Sequence, residues 1–342
     1  MEYGGRLFGS KRVRSGYRIL IALSLFLFTS SSQATEAPEK LIVGYSGAAP
    51  GFSVVWIAKD TGIFKKNGLD VDIILVQSAS LMAQALIAGN VPVAVMNGVA
   101  AVEGNLRGAD LVLIGSLKKS PNTPYLVTSK GINRPNELKG KKLGVSRIGS
   151  SSDVLLRLAL RKLGINPDRE VTILQLGNVS LRTKAIQAGI IDGHLVSPEE
   201  KVASETFGVN ILYDLRALGL EFLSTDMVTS RVFIKNEEEK VRRFVKAMVE
   251  AIHYYKTHKQ KSIEIMAKYM RNVTSRVIEM GYDWNAQEYN SKPYPSVRGI
   301  QWALEEIAQR NPKAEKTTPE QFYDARFVKE LEQNGFIDSL YR

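Results

Sequence analysis

Two stretches of this 342-residue chain match each other at an offset of one hundred residues, and that repetition narrows the fold more than any other feature. Val43-Gly44-Tyr45-Ser46 corresponds to Leu143-Gly144-Val145-Ser146, with glycine on glycine and serine on serine. Phe64-Lys65-Lys66-Asn67-Gly68 echoes Leu160-Arg161-Lys162-Leu163-Gly164. Val71 and Ile73 then fall on Val171 and Ile173, and Ala85-Leu86-Ile87-Ala88-Gly89 answers Ala185-Ile186-Gln187-Ala188-Gly189. Each copy reads strand, loop, helix, strand, helix, strand. The strand runs 41–46, 71–76 and 91–96, like 142–146, 171–176 and 192–196, are largely apolar, as buried parallel strands are, and the helices between them suit parallel crossovers. Gly89 and Gly189 stand where a helix ends in a left-handed turn, which glycine adopts at least cost. Two similar α/β lobes are expected.

Beyond the second copy, Val209–Tyr213 reads as a further strand and Met227–Lys235 as an extended β-branched run. The rest is helical. Residues 237–257 place Val241, Phe244, Val245, Met248 and Ile252 on one face, and further helices are expected near 260–270, 274–287, 296–310 and 324–335. No third sheet-forming copy follows, so this tail is expected to pack on the first lobe. The boundaries that result are 35–118 with 226–342 for lobe I, and 119–225 for lobe II.

Residues 1–34 read as a signal peptide. Arg6, Lys11, Arg12, Arg14 and Arg18 lead into the apolar run Ile19–Phe28, and Ser32 and Ala34 are the small residues before a cut after Ala34. The run is too short for a stable bilayer-spanning helix, although an uncut short anchor is the alternative. A soluble, periplasmic, monomeric chain is expected. It has no cysteine, which removes a lipidated cysteine, disulfides, thiolate metal sites and cysteine nucleophiles. Without residues 1–34 the chain keeps 41 basic and 34 acidic side chains, a net +7, and these are interleaved, as in Glu237-Glu238-Glu239-Lys240. Nucleic-acid faces concentrate such charge; this pattern fits only a mild attraction for anions.

In open parallel sheets ligands bind beyond the carboxyl ends of the strands. The repeat therefore nominates two facing loops, Ser46–Phe52 (with Ser46, Gly47 and Phe52) and Ser146–Asp153. In the second loop, Ser150, Ser151 and Ser152 open a helix and exceed what an N-cap needs; hydroxyls and free amides there favour a negative group. Arg147 beside them either pairs with an anion or stays on the surface. The third strands add Asn97 and Gly98 in one copy and Ser197 and Glu199 in the other, although Ser197-Pro198-Glu199 also suits a plain helix start. Phe52 and Tyr125 are candidates to cover the rest of a solute, whereas Trp56 suits the core.

Enzyme signatures are sparse. His253 and His258 lie five apart and share no helix face, so no zinc site is expected, and no nucleophile elbow, phosphate loop or His-Glu-x-x-His occurs. The reading is a binder without cofactor or metal. A periplasmic enzyme, the alternative, would have to use Glu199, Asp153 or His194.

The chain resembles the periplasmic solute-binding proteins of ABC importers in the sulfonate/nitrate/taurine group, which also contains pyrimidine-precursor binders and fungal pyrimidine synthases. The segments that carry the likeness are Ala58-Lys59-Asp60-Thr61-Gly62-Ile63-Phe64-Lys65-Lys66-Asn67-Gly68-Leu69-Asp70-Val71, Gln84–Gly89, Glu137–Val145, Ala188–Gly193 and Ser230–Ile234. They span about residues 40–260. The resemblance implies an α/β periplasmic-binding fold of the second type, with a mostly parallel sheet in each lobe and a helical C-terminal tail. It further implies two hinge crossings, closure on a small solute, and docking on an ABC permease in the inner membrane. It does not select among sulfonates, nitrate, bicarbonate, aromatic acids and pyrimidines. Two departures stand out. Pro92 occupies the place where the family carries an acid after the first glycine turn, as Asp192 does in the second copy. The fungal synthases use an active-site histidine and a cysteine-rich iron site, and this chain has no cysteine. A ligand-sensing subunit for a membrane kinase is a third reading.

Overall fold

The computed structural model describes residues 37–201, 208–219, 221–271 and 273–342. The expected signal peptide lies outside the described residues. Among them, no helix is long and apolar enough to cross a membrane.

The repeat folds twice in the same register. In the first copy β1 (Glu39–Tyr45) pairs in parallel with β2 (Leu69–Leu75) and β3 (Val93–Met96). In the second copy β6 (Lys142–Val145) pairs in parallel with β7 (Thr172–Gln175) and β8 (Gly193–Val196). Val43 faces Val93 and Ile73, while Leu143 faces Gly193 and Ile173, so partners as well as elements repeat at one hundred. Gly89 and Gly189 end their helices at φ +74° and +68°, the left-handed region the sequence requires there.

The two copies belong to separate sheets. β4 (Leu111–Lys118) and β10 (Thr225–Ser230) complete the first, in the order β2-β1-β3-β10-β4; β5 (Tyr125–Thr128) and β9 (Asn210–Asp214) complete the second, in the order β7-β6-β8-β5-β9. Each sheet has one antiparallel strand, and each such strand is the first to arrive after the chain crosses over: β5 from the first sheet and β10 from the second. The sheets are therefore mostly parallel and tied by two crossings.

Helices α1 (Ser53–Asp60), α2 (Ile63–Lys66), α3 (Ala79–Ile87) and α4 (Val99–Leu106) surround the first sheet; α5 (Ser151–Lys162) and α6 (Val179–Gln187) flank the second. The tail supplies α7 (Arg231–Thr257), α8 (Lys259–Tyr269), α9 (Ser275–Glu288), α10 (Val297–Ala308), α11 (Arg326–Gln333) and α12 (Phe336–Leu340). The predicted face of α7 is buried, with Val241, Phe244, Val245, Met248 and Ile252 wholly inaccessible among Trp56, Phe64 and Tyr255. Trp56 is core, stacked on Tyr269 at 5.1 Å.

Three expectations need correction. The extended run stops at Ser230, and residues 231–235 are helical, because the Ser230 hydroxyl accepts the Phe233 amide at 3.0 Å and starts α7. β2 and β7 are not fully buried strands; each is a sheet edge, and Ile74 and Leu75 stand more than a third exposed. The tail does not keep to one side: α10 packs on α4 and also on α5. Through these three helices one apolar core runs from Met96 and Leu113 of the first sheet to Leu143 and Leu195 of the second.

Candidate functional site

The carboxyl ends of strands from both sheets open on one cavity of about 540 Å³. Ten of the twelve nominated residues line it: Ser46, Gly47, Phe52, Asn97, Arg147, Ser150, Ser151, Ser152, Ser197 and Glu199. The repeat explains why, since each residue follows a strand whose twin ends at the same rim. Gly98 and Tyr125 lie outside the lining. The Gly98 amide donates to Asp226 Oδ2 at 2.9 Å, and a Cβ there would meet Leu113 at 2.9 Å, so this glycine serves close packing. The Tyr125 hydroxyl accepts from Arg216 at 2.9 Å, and its ring lies under that guanidinium.

The serines do more than cap α5. The hydroxyls of Ser146, Ser150 and Ser152 form a triangle with sides of 2.9, 2.9 and 3.0 Å. Asp153 is turned away, taking the Gly149 amide at 2.8 Å and Arg157 Nε at 2.6 Å, so it is not available to a cavity reaction. His194 is also removed: it is buried, and burial together with the Arg182 charge pushes its pKa down to about 3, leaving a neutral ring.

Charge enters the cavity wall from both sheets. Lys118, at the end of β4, is 1% exposed and donates to Asn285 Oδ1 at 2.8 Å. Across the cavity is Glu199 of the second copy, 7% exposed. Burial lowers the Lys118 pKa and raises that of Glu199, each opposed by the other's charge. Arg182 on α6 is 2% exposed and also lines the cavity. Trp284 also lines the cavity; the Arg216 guanidinium lies 4.9 Å from its ring, and its indole N–H is buried without a hydrogen-bond partner among the described residues.

The description "NMT1/THI5 like" matches residues 49–262, well over half of the chain. The chain belongs to the NMT1/THI5-like family. A relative from Brucella abortus (strain 2308), which bears a provisional name as a binding protein, is 27% identical over 266 residues, covering 74% of this chain and 79% of its own. A Saccharomyces cerevisiae relative named 4-amino-5-hydroxymethyl-2-methylpyrimidine phosphate synthase is 26% identical over 216 residues, covering 58% of this chain and 62% of its own. The periplasmic aliphatic sulphonate binding protein of Escherichia coli superposes with a TM-score of 0.67 at 20% identity, over 83% of this chain and 92% of that one. The fold of this NMT1/THI5-like chain is accordingly that of the periplasmic binding proteins.

Within that fold, Ser78 was missed by sequence reasoning. Among the described residues it is the only non-glycine at positive φ (φ +115°), it lines the cavity, and its buried Oγ has no partner among them. Strained backbone of this kind clusters at ligand sites. Lys118 and Arg182 were missed as well, because a lysine ending a strand and an arginine inside a helix look like solvated charges. The available signal for Arg182 was its place in the repeat. Among the described residues no cluster of three His, Asp or Glu side chains could hold a metal ion.

Proposed function

We propose that this chain is an extracytoplasmic solute-binding receptor of an ABC importer, closing two lobes on a small polar or anionic organic solute. Lobe I is residues 35–118 with 226–342, and lobe II is 119–225. The observation that carries the reading is the cavity itself, walled by strand ends from both sheets and edged by the serine triangle at the start of α5. A solute there touches both lobes, so it binds the closed arrangement better than an open one, which is what shifts such an equilibrium. Ser46, Asn97, Ser150, Ser152 and Ser197 offer hydroxyls and amides, and Phe52 and Trp284 offer ring surface. Closed, the protein presents the lobe faces to a permease in the inner membrane; residues 1–34 export it, and it acts as a monomer in the periplasm.

Calorimetric titration with sulfonates, aromatic acids and pyrimidines, guided by native mass spectrometry of any co-purified solute, tests this. Binding without turnover, accompanied by compaction in small-angle scattering, is the expected result. A second reading, an enzyme on the same scaffold, rests on Glu199, a buried cavity carboxyl whose pKa is raised, and on the synthase name of the yeast relative. Chemical change of a bound solute would establish that reading instead.

A further inference from the structure

The repeat singles out one side chain in the cavity wall that packing does not explain. In each copy the glycine of the first strand is roofed by a helix side chain and by the residue two before the third strand. Met82 and Val91 cover Gly44; Arg182 and Ile191 cover Gly144, each at the offset of one hundred. A Cβ at Gly44 would come within 2.5 Å of Met82 Sδ, and one at Gly144 within 3.2 Å of Arg182 Cδ. The same slot holds a thioether once and a guanidinium once. Its neighbours change in step, Ala83 and Ala94 in the first copy becoming Thr183 and His194 in the second.

A buried guanidinium ordinarily has a carboxylate beside it. Arg182 has none within 4 Å among the described residues. Nη1 donates to Gly177 O at 2.7 Å and Nε lies 3.4 Å from His194 Nδ1, while Nη2 has no partner among the described residues. Glu200, the one acid whose charge acts on Arg182, makes no ion pair with it within 4 Å; its carboxylate takes the Ser197 amide at 3.0 Å and hydroxyl at 2.9 Å. The His194 ring behind Arg182 is held neutral, with Nδ1 donating to Leu195 O at 3.0 Å and Nε2 accepting the Thr183 hydroxyl at 3.2 Å, so it packs beside the guanidinium without cancelling its charge.

We propose that Arg182 is the anchor for one anionic group of the solute, a carboxylate or sulfonate, which makes the second lobe the anion-receiving half. Ser78, whose hydroxyl in the first-lobe wall of the same cavity has no partner among the described residues, donates to that group as the lobes close. The proposal rests on the receptor reading above, and two measurements separate their fates.

The first is thermal unfolding of the unliganded Arg182→Met protein. Exchanging an unpaired buried charge for the side chain the first copy uses in the same slot raises Tm by about 2 °C or more; Arg182→Gln serves as the second variant if methionine disturbs the packing. The second is calorimetry with sodium salts of small carboxylates and sulfonates, each beside its uncharged amide. Anions bind the wild type, their amides do not, and Arg182→Met weakens the anions by at least about a hundredfold; the two anion sets tell carboxylate from sulfonate. Anion affinity unchanged in the variant, or amides binding as well as acids, would overturn the anchor and leave the receptor reading standing. If neither set binds while a pyrimidine from the wider panel does, the anchor fails and the receptor reading stands; a variant no more stable than wild type ends the anchor too.

Discussion

Asp226 is fully buried, accepts the Gly98 amide at one carboxylate oxygen and the Ser116 hydroxyl at the other, and has no cation within 4 Å among the described residues. Burial outweighs both hydrogen bonds and pushes its pKa up from 3.8 to about 7. The folded protein thus holds a proton that the unfolded chain releases near pH 4. Stability owed to that proton is complete below about pH 4 and is lost as pH rises through about 7. In Asp226→Asn the amide takes the place of the protonated acid. The expected outcome is that wild type loses up to about 4 kcal/mol relative to the variant between pH 4 and 8, seen as converging and then crossing urea midpoints; parallel curves would mean the site does not titrate. None of this is readable in Thr225-Asp226-Met227, because the desolvation is supplied by strands and helices distant in sequence. Ser46 and Ser150–Ser152 were readable, since a helix start and a strand end are local facts. Lys118 was not: Lys118-Lys119 reads as a solvated pair, and only the fold shows that the first is buried and the second half-exposed.

At the scale of elements, the helix seam between α5 and α10 carries an asymmetric ion pair. Arg161 Nε donates to Glu306 Oε2 at 3.0 Å, and the same guanidinium reaches Asp168 at 2.8 Å. The Glu306 side chain is 1% exposed and Arg161 26%; burial raises the Glu306 pKa against the pull of Arg161. Removing one partner of such a pair strands the more buried charge, whereas removing that buried charge leaves the other partner a second acid and water. Arg161→Met is therefore expected to cost about 3 kcal/mol at pH 7 and Glu306→Leu less than about 1 kcal/mol, measured by urea unfolding; equal costs would show the pair to be symmetric. The strands and helices themselves were largely legible, because periodicity and glycine stops act within one element. The failure at 231–235 has a local cause: Ser230 caps a helix and overrides the β-branched character of Val232 and Ile234. Which face of α10 meets which helix was not legible, since that requires two faces to be brought together by the crossings.

Taken whole, the molecule joins its sheets in two unlike ways. One join is the cavity, with Lys118 and Glu199 entering from opposite sheets. The other join is apolar: Leu156 of α5, Val102 of α4 and Leu304 of α10 belong to one core that also takes Leu113 and Leu143 from the two sheets. The repeat predicts the two lobes but not this shared core, because each copy alone accounts only for its own sheet. Independent lobes would melt separately, as domains joined through small polar contacts do. Lobes that share buried leucines cannot, since unfolding one exposes the apolar face of the other at about 25 cal/mol for each Å². A single endotherm is expected, with van't Hoff and calorimetric enthalpies equal. Leu304→Ala, at the middle of the seam, should cost about 3 kcal/mol and move the whole endotherm down without splitting it. Two resolved transitions in the wild type would place the lobes in separate cooperative units, and the seam would then be a contact surface and not a core.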